Sequence, residues 1–313
     1  MLASQHSVDN RPVVFCLHYL GGSAREWSHV AAAATAFRCV ALDLPGFGDA
    51  VGVPGYTVAE MSAYVAERVR DFGPQRWLLA GHSMGAKVAT VLARAIEHGA
   101  VVLPGFEGLV LLAGSPPNPE PMDEKQRENM IGWFAGDADA NRANAETYVS
   151  SNAASLDAAS FALAVDDATR MERAAWLAWL ESGSREDWSE RVGRLKTPAL
   201  VLAGELDEQL GPDAQRESMV PHFEHARTVT LAGAKHLLPL ERAREVARAM
   251  DEHVLAAGYR ALVASGRVGA KTRDALEARE RPDDPAYAPR AMDVAALATL
   301  RAMTARIVPQ DDA

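Results

Sequence analysis

The 313-residue chain has little material for covalent stapling: its only cysteines are Cys16 and Cys39. Both lie inside apolar, strand-like runs, where they read as small buried hydrophobes rather than a disulfide framework. Basic residues are in the minority, with 32 Lys and Arg against 42 Asp and Glu and a net charge of −10. Neither that sum nor any run supplies the positive patch that nucleic acid or anionic lipid demands, so neither partner is expected. No uninterrupted apolar run is long enough to span a bilayer, and no basic segment followed by an apolar one opens the chain. Secretion and membrane anchoring are therefore not expected, and a reducing cytoplasm is the expected compartment. What remains is a globular chain, 48% apolar, with ample core material for one large α/β domain or two small ones.

One stretch organises the pattern. Residues 77–80 read as a short buried strand and 84–96 as a helix, so Gly81-His82-Ser83-Met84-Gly85 is the turn between them. That turn matches G-x-S-x-G, in which a serine sits on a strained strand-to-helix corner and the flanking glycines permit close backbone approach. Upstream, residues 12–17 form a strand candidate ending in the glycine loop His18 to Ser23, with a helix-like segment over 25–34. A further strand, 38–42, runs into a turn rich in backbone breakers at 43–48, whose expected role is architectural. Over 57–72, Val58, Met61, Val65 and Val69 are spaced for one helical face, with Thr57 as N-cap and Glu60 completing a capping box. Strand 108–112 follows. This alternation predicts a mostly parallel sheet covered by helices on both faces.

The rhythm breaks at the proline-rich stretch 116–121, and only helical periodicity appears as far as Arg194. That segment carries Trp133, Phe134, Tyr148, Trp176 and Trp179, among other rings, as expected of a cap that shapes an apolar pocket. Strands resume at 198–203 and 227–231, each followed by a loop, one bearing Asp207 and the other His236. Both loops leave the C-terminal ends of strands, the edge where open α/β sheets bind ligands.

From about Arg11 to about Val254 the chain resembles the lid-bearing α/β-hydrolases. The likeness rests on four separated motifs, at 18–23, 81–85, 204–207 and 233–236, and on the chain order Ser83, Asp207, His236. It implies an α/β-hydrolase core over 1–115 and 195–254, a helical cap inserted at 116–194 and a helical C-terminal extension at 255–313. It also implies a serine esterase that cleaves carboxylic esters, lactones among them, through an acyl-enzyme on Ser83, without metal or organic cofactor. His236 would accept the Ser83 proton and Asp207 would orient its ring, with Glu205 and Glu208 as alternative acids. The oxyanion hole falls to the backbone N–H groups of Met84 and Leu20, with Tyr19 as the alternative to Leu20. Tyr19 and His82 are candidate pocket residues. Two other readings keep the same fold: a cofactor-free haloperoxidase or perhydrolase using the same triad, and a catalytically idle module that binds a partner.

The chain departs from the family pattern at several positions. Tyr19 follows His18 where glycine is usual, Lys235 precedes His236, and Ala86 replaces a common second glycine. Lys87, which opposes the helix dipole, is expected in solvent, as is Lys235. His222 and His225 have a helical metal spacing, but Pro221 interrupts it and no metal is expected. Beyond 251, Ala270 to Glu280 reads as a helix, and Asp293 could cap a last one with Val294, Leu297, Leu300, Met303 and Ile307 on one face. Docking of this tail on the body is favoured over a partner-binding or homo-oligomeric role. Residues 285–310 resemble the beginning of the small subunit of gluconate-dehydrogenase-like flavoprotein complexes, which implies a polyol or sugar-acid lactone setting.

Overall fold

The computed structural model describes residues 9–74, 76–264 and 268–279. They fall into two compact units, the first ending at Ala261 and the second beginning at Leu262. In β1 (Val13–Leu17) every residue is buried, because Val13, Phe15 and Leu17 face one core while Val14 and Cys16 face another. A strand covered on both faces reads as a continuous apolar run, which is how it announced itself in the sequence. The same alternation recurs in β3 (Trp77–His82), β4 (Phe106–Leu112) and β5 (Ala199–Gly204). With β2 (Arg38–Leu42) and β6 (Ala226–Leu231) they form one parallel sheet in the order β2-β1-β3-β4-β5-β6.

The order reverses at β1. The chain steps outward to β2, then returns past β1 to β3, so the loops after β1 and β3 part and leave a crevice at the C-terminal edge. Leu17 pairs with Gly81, which sets the ends of these two strands level. The glycine loop and the serine turn therefore meet by topology.

Helices α1 (Ser28–Ala33), α2 (Val58–Phe72) and α3 (Met84–Glu97) are divided between the faces: α2 and α3 join the first core, and α1 joins the second. The expected capping box is present in α2, with the Glu60 N–H donating to Thr57 Oγ1 at 3.2 Å and the Thr57 N–H donating to Glu60 Oε2 at 3.1 Å. The segment read as one helix over 25–34 is instead a 3-10 turn at Ala24–Trp27 followed by α1. The Ser23 hydroxyl accepts the Arg25 N–H and starts the tighter turn.

Between β4 and β5 the described residues form no strand of the sheet; they form α4 (Glu124–Ile131), α5 (Ala138–Asn152), α6 (Ala158–Arg170), α7 (Arg173–Ala178), a π-helical turn at Trp179–Gly183 and α8 (Ser189–Val192). Asp123, Asp137 and Asp157 cap the first three through their carboxylates. The short α9 (Pro212–Ala214) follows β5, and α10 (Leu238–Glu241) and α11 (Ala243–Ala264) follow β6. The second unit contains α12 (Ala270–Arg279). The amphipathic segment expected at 293–307 and the resemblance over 285–310 lie outside the described residues. Cys16 and Cys39 are free thiols on neighbouring strands, their sulfurs 3.4 Å apart. Among the described residues no helix is long and apolar enough to cross a membrane.

Candidate active site

Ser83 occupies the corner between β3 and α3 with φ 51 and ψ −116, a conformation that costs a non-glycine residue free energy and persists only where its surroundings enforce it. Its N–H is held by the Leu112 carbonyl at 2.9 Å, and its carbonyl accepts the N–H groups of Ala86 at 2.9 Å and Ser115 at 3.0 Å. Glycine is required on either side: a Cβ on Gly81 would sit 2.4 Å from the Gly85 carbonyl oxygen, and one on Gly85 would sit 2.8 Å from that of His18. Ser83, which this corner presents, remains 7% exposed.

Asp207 and His236, 29 residues apart, meet at this edge, with His236 Nδ1 donating to Asp207 Oδ2 at 2.7 Å. The other carboxylate oxygen accepts the N–H groups of Gln209 and Leu210, both at 3.0 Å. Burial works against ionisation of Asp207, but the His236 ring beside it, the ring hydrogen bond and the two backbone donors outweigh burial and hold the carboxyl at about 2. Burial likewise opposes a charge on His236, yet its pKa lies above the ordinary imidazole value because Asp207 is adjacent and hydrogen-bonded, with Glu120 and Glu26 adding to the effect. An ionised carboxylate can only accept, so the proton of the neutral ring sits on Nδ1 and Nε2 keeps a free lone pair. Ser83 and His236 are not hydrogen-bonded to each other in this resting geometry. The alternative acid Glu205 is engaged elsewhere, accepting the Gly233 N–H at 2.8 Å, and Glu208 lines a cleft of about 310 Å³ that reaches His236.

The glycine loop is fixed by His18. Its Nδ1 donates to the Tyr19 carbonyl at 2.8 Å, and its Nε2 accepts the Leu44 N–H at 3.0 Å, a tautomer that burial keeps neutral by lowering the pKa to about 4. The turn at 43–48 is architectural in the same sense, since Asp43 accepts the N–H groups of Ala24 at 2.7 Å and Asp49 at 2.9 Å. Leu20 and Met84 are both buried, with Met84 at the N-terminus of α3. Tyr19 is 1% exposed and its ring lies between His82 and Tyr148, at centroid distances of 5.3 and 6.3 Å. His82 is fully buried and both ring nitrogens are engaged: Nδ1 lies 3.2 Å from each Glu26 oxygen, and Nε2 lies 2.8 Å from the His236 carbonyl.

The helices between β4 and β5 cover this ground. Tyr148 of α5 donates to the Leu20 carbonyl at 2.8 Å, and Tyr148, Trp176 and Met171 all stand within 4 Å of where a Cβ on Gly21 would lie. The Asn152 carbonyl, closing α5, accepts the N–H groups of His236 at 3.0 Å and Leu237 at 3.2 Å. Arg25 and the Ser23 hydroxyl both donate to Asp167 of α6. Lys87 departs from expectation. It is fully buried, because its Nζ donates to the carbonyls of Gly183 at 3.2 Å and Glu186 at 2.9 Å, which satisfies the ammonium without water. Burial lowers its pKa to about 8, against the pull of Glu120, Glu186 and Asp187. Lys235 is half-buried, its backbone N–H held by Glu241.

Sequence reasoning missed Glu26, Glu120, Asn152, Asp167 and Glu241. Each is an ordinary polar residue within a helix or loop pattern, and no local signal marks the contact it makes across the fold. His222 Nδ1 donates to the Gly193 carbonyl at 2.9 Å, and its Nε2 lies 3.0 Å from Asn118 Oδ1.

A parallel sheet with its strand order reversed at β1, a strained serine corner after β3 and an Asp–His pair after β5 and β6 define the α/β-hydrolase class. The family profile described as the alpha/beta hydrolase family matches residues 13–249, and the chain belongs to that family. Among curated proteins it is 28% identical over 222 residues to the 2-succinyl-6-hydroxy-2,4-cyclohexadiene-1-carboxylate synthase of Serratia proteamaculans, covering 67% of this chain and 84% of that one. A shorter stretch of 101 residues is 39% identical to the pimeloyl-[acyl-carrier protein] methyl ester esterase of Sodalis glossinidius, covering 32% of this chain and 35% of that one. Among solved structures, an esterase from Exiguobacterium antarcticum superposes with a TM-score of 0.68 at 15% identity over 78% of this chain and 92% of its own. A bromoperoxidase from Bacillus anthracis gives 0.66 at 18% identity over 79% and 91%. At these identities the two structures share the fold.

Proposed function

We propose that this protein hydrolyses carboxylic esters through an acyl-enzyme on Ser83, with lactones as a further substrate class. The observation that carries the proposal is the 2.7 Å Asp207–His236 bond at the sheet edge where the Ser83 corner also lies. A serine hydroxyl is a weak nucleophile at neutral pH, so His236 Nε2 takes its proton during attack on the ester carbonyl. Asp207 stabilises the imidazolium that results, and the backbone N–H groups of Leu20 and Met84 receive the developing oxyanion. His236 then protonates the departing alcohol, and a water molecule activated by the same ring releases the acid.

The surroundings favour an uncharged, partly apolar ester. Tyr19, Tyr148 and Trp176 supply aromatic surface beside the glycine loop. The buried cations nearby are committed to the protein, with Lys87 bound to two carbonyls and Arg127 Nη1 donating to the Leu180 carbonyl at 2.9 Å. A second reading takes its support from the long match to the Serratia synthase, whose product name includes a carboxylate. The prior commitment of Lys87 and Arg127 works against that reading. The Ser83→Ala variant is expected to lose ester turnover by about 10⁴-fold or more and to stop reacting with a fluorophosphonate probe. Undiminished turnover in that variant would overturn the proposal. A panel of esters and lactones, run also with hydrogen peroxide in carboxylic-acid buffer and beside the synthase reaction, separates hydrolysis from perhydrolysis and from the second reading.

A further inference from the structure

Directly behind His236 lies a pair of buried ionisable groups that the proposed chemistry does not use. Glu26, in the turn Ala24–Trp27, and His82, the last residue of β3, are both fully buried. His82 Nε2 stands 2.8 Å from the carbonyl oxygen of His236. A carbonyl can only accept, so Nε2 must carry a hydrogen. If the ring is neutral, Nδ1 is then a bare lone pair, and it faces both Glu26 oxygens at 3.2 Å. An ionised carboxylate would set lone pair against lone pair at that contact. One further proton is needed between the two groups, and with it the chain of donors runs in one direction.

We propose that Glu26 keeps its proton and donates it to His82 Nδ1, so that His82 donates in turn to the His236 carbonyl and the pair positions the catalytic base from behind. The alternative placement of the same proton, an imidazolium beside a carboxylate, would separate two charges where neither meets water. The environment disfavours that arrangement on both sides. Burial raises the Glu26 carboxyl well above its usual range, with Asp167 adding to the rise and His236 and a backbone hydrogen bond from Tyr19 opposing it. Burial also lowers His82 to about 3, helped by the charge of the His236 ring and opposed by the hydrogen bond to the His236 carbonyl, by Asp207 and by Glu241. Because His82 holds the backbone carbonyl of His236 itself, a shift of the donor moves the backbone that carries the base. Glu26 and His82 are positioning residues, and their role in turnover rests on the ester-hydrolase reading above.

The test compares Glu26→Gln with Glu26→Leu. The glutamine side chain has an N–H to donate to Nδ1, so kcat is expected within about threefold of the wild type; the leucine has none, and loss of one buried hydrogen bond predicts a fall in kcat of about tenfold or more with KM little changed. A folded Glu26→Leu protein with wild-type kcat, or a Glu26→Gln protein as impaired as Glu26→Leu, would overturn the proposal. Nitrogen-15 NMR of the 313-residue wild type, with labelled histidine and His82→Gln for assignment, needs no substrate. At pH 7 the His82 ring is expected to show a protonated Nε2 and a bare, hydrogen-bonded Nδ1, whereas two protonated nitrogens would overturn the inference. If Ser83→Ala retains ester turnover, the functional reading fails while this tautomer measurement still decides the Glu26–His82 pair.

Discussion

The proton that leaves a serine must arrive on a nitrogen whose partner is already in place, and at Asp207–His236 the partner is placed by three donors on one carboxylate. Because that carboxylate raises the His236 pKa above its ordinary 6.5, the ring stays protonated to a higher pH and is unavailable as a base there. The acid limb of kcat/KM is therefore expected above pH 6.5. Asp207→Asn should move that limb down and lower kcat/KM by about 10³- to 10⁴-fold, as a pH series of initial rates would show. Lys87 offers a stability counterpart. Its folded pKa of about 8 lies below the ordinary 10.5, so the unfolded chain binds more protons between those values and stability rises with pH across that window. Denaturant unfolding of the wild type and Lys87→Met at pH 7 and pH 10 should show the difference moving in the wild type's favour, by about 3 kcal/mol at most. Ser83, Asp207 and His236 were legible in the sequence because each belongs to a short motif with its own spacing. The burial of Lys87 was not, because the carbonyls that satisfy it come from residues about a hundred positions away.

At the scale of elements, the helices between β4 and β5 are tied to the loop that carries His236. Glu241 of α10 accepts the N–H groups of Lys235 and Leu237, both at 3.2 Å, and also that of Ala154 just beyond α5, at 2.9 Å. Asn152 accepts from the same loop through its backbone, so a carbonyl left free at a helix C-terminus finds donors in His236 and Leu237. Glu241→Ala removes the side-chain half of this clamp. Steady-state kinetics should show kcat lower by about tenfold with KM nearly unchanged, because the base and not the pocket loses its support. A change confined to KM would place the effect in the pocket. The strands and α2 were readable because apolar spacing and the Thr57–Glu60 capping box are local. The division of 25–34 into a 3-10 turn and α1 was not, since it depends on a Ser23 hydroxyl that is also bound to Asp167 of α6.

At the scale of the whole molecule, every residue of the candidate site belongs to the unit that ends at Ala261. A chain ending at Ala261 is accordingly expected to fold and to turn over esters within about twofold of the full-length protein, measured by thermal unfolding and kcat/KM on the same preparations. The sequence by itself determined the alternation of strands and helices, the interruption after β4 and the identities of the candidate nucleophile, acid and base, because these are encoded in periodicity and in motifs a few residues long. Only the tertiary structure decided that Ser83 adopts φ 51, that α5 and Glu241 hold the His236 loop, and that Glu26 stands behind His82. Those facts depend on buried polar groups finding partners across the fold, and the partner of a buried polar group is fixed by packing rather than by its neighbours in the chain.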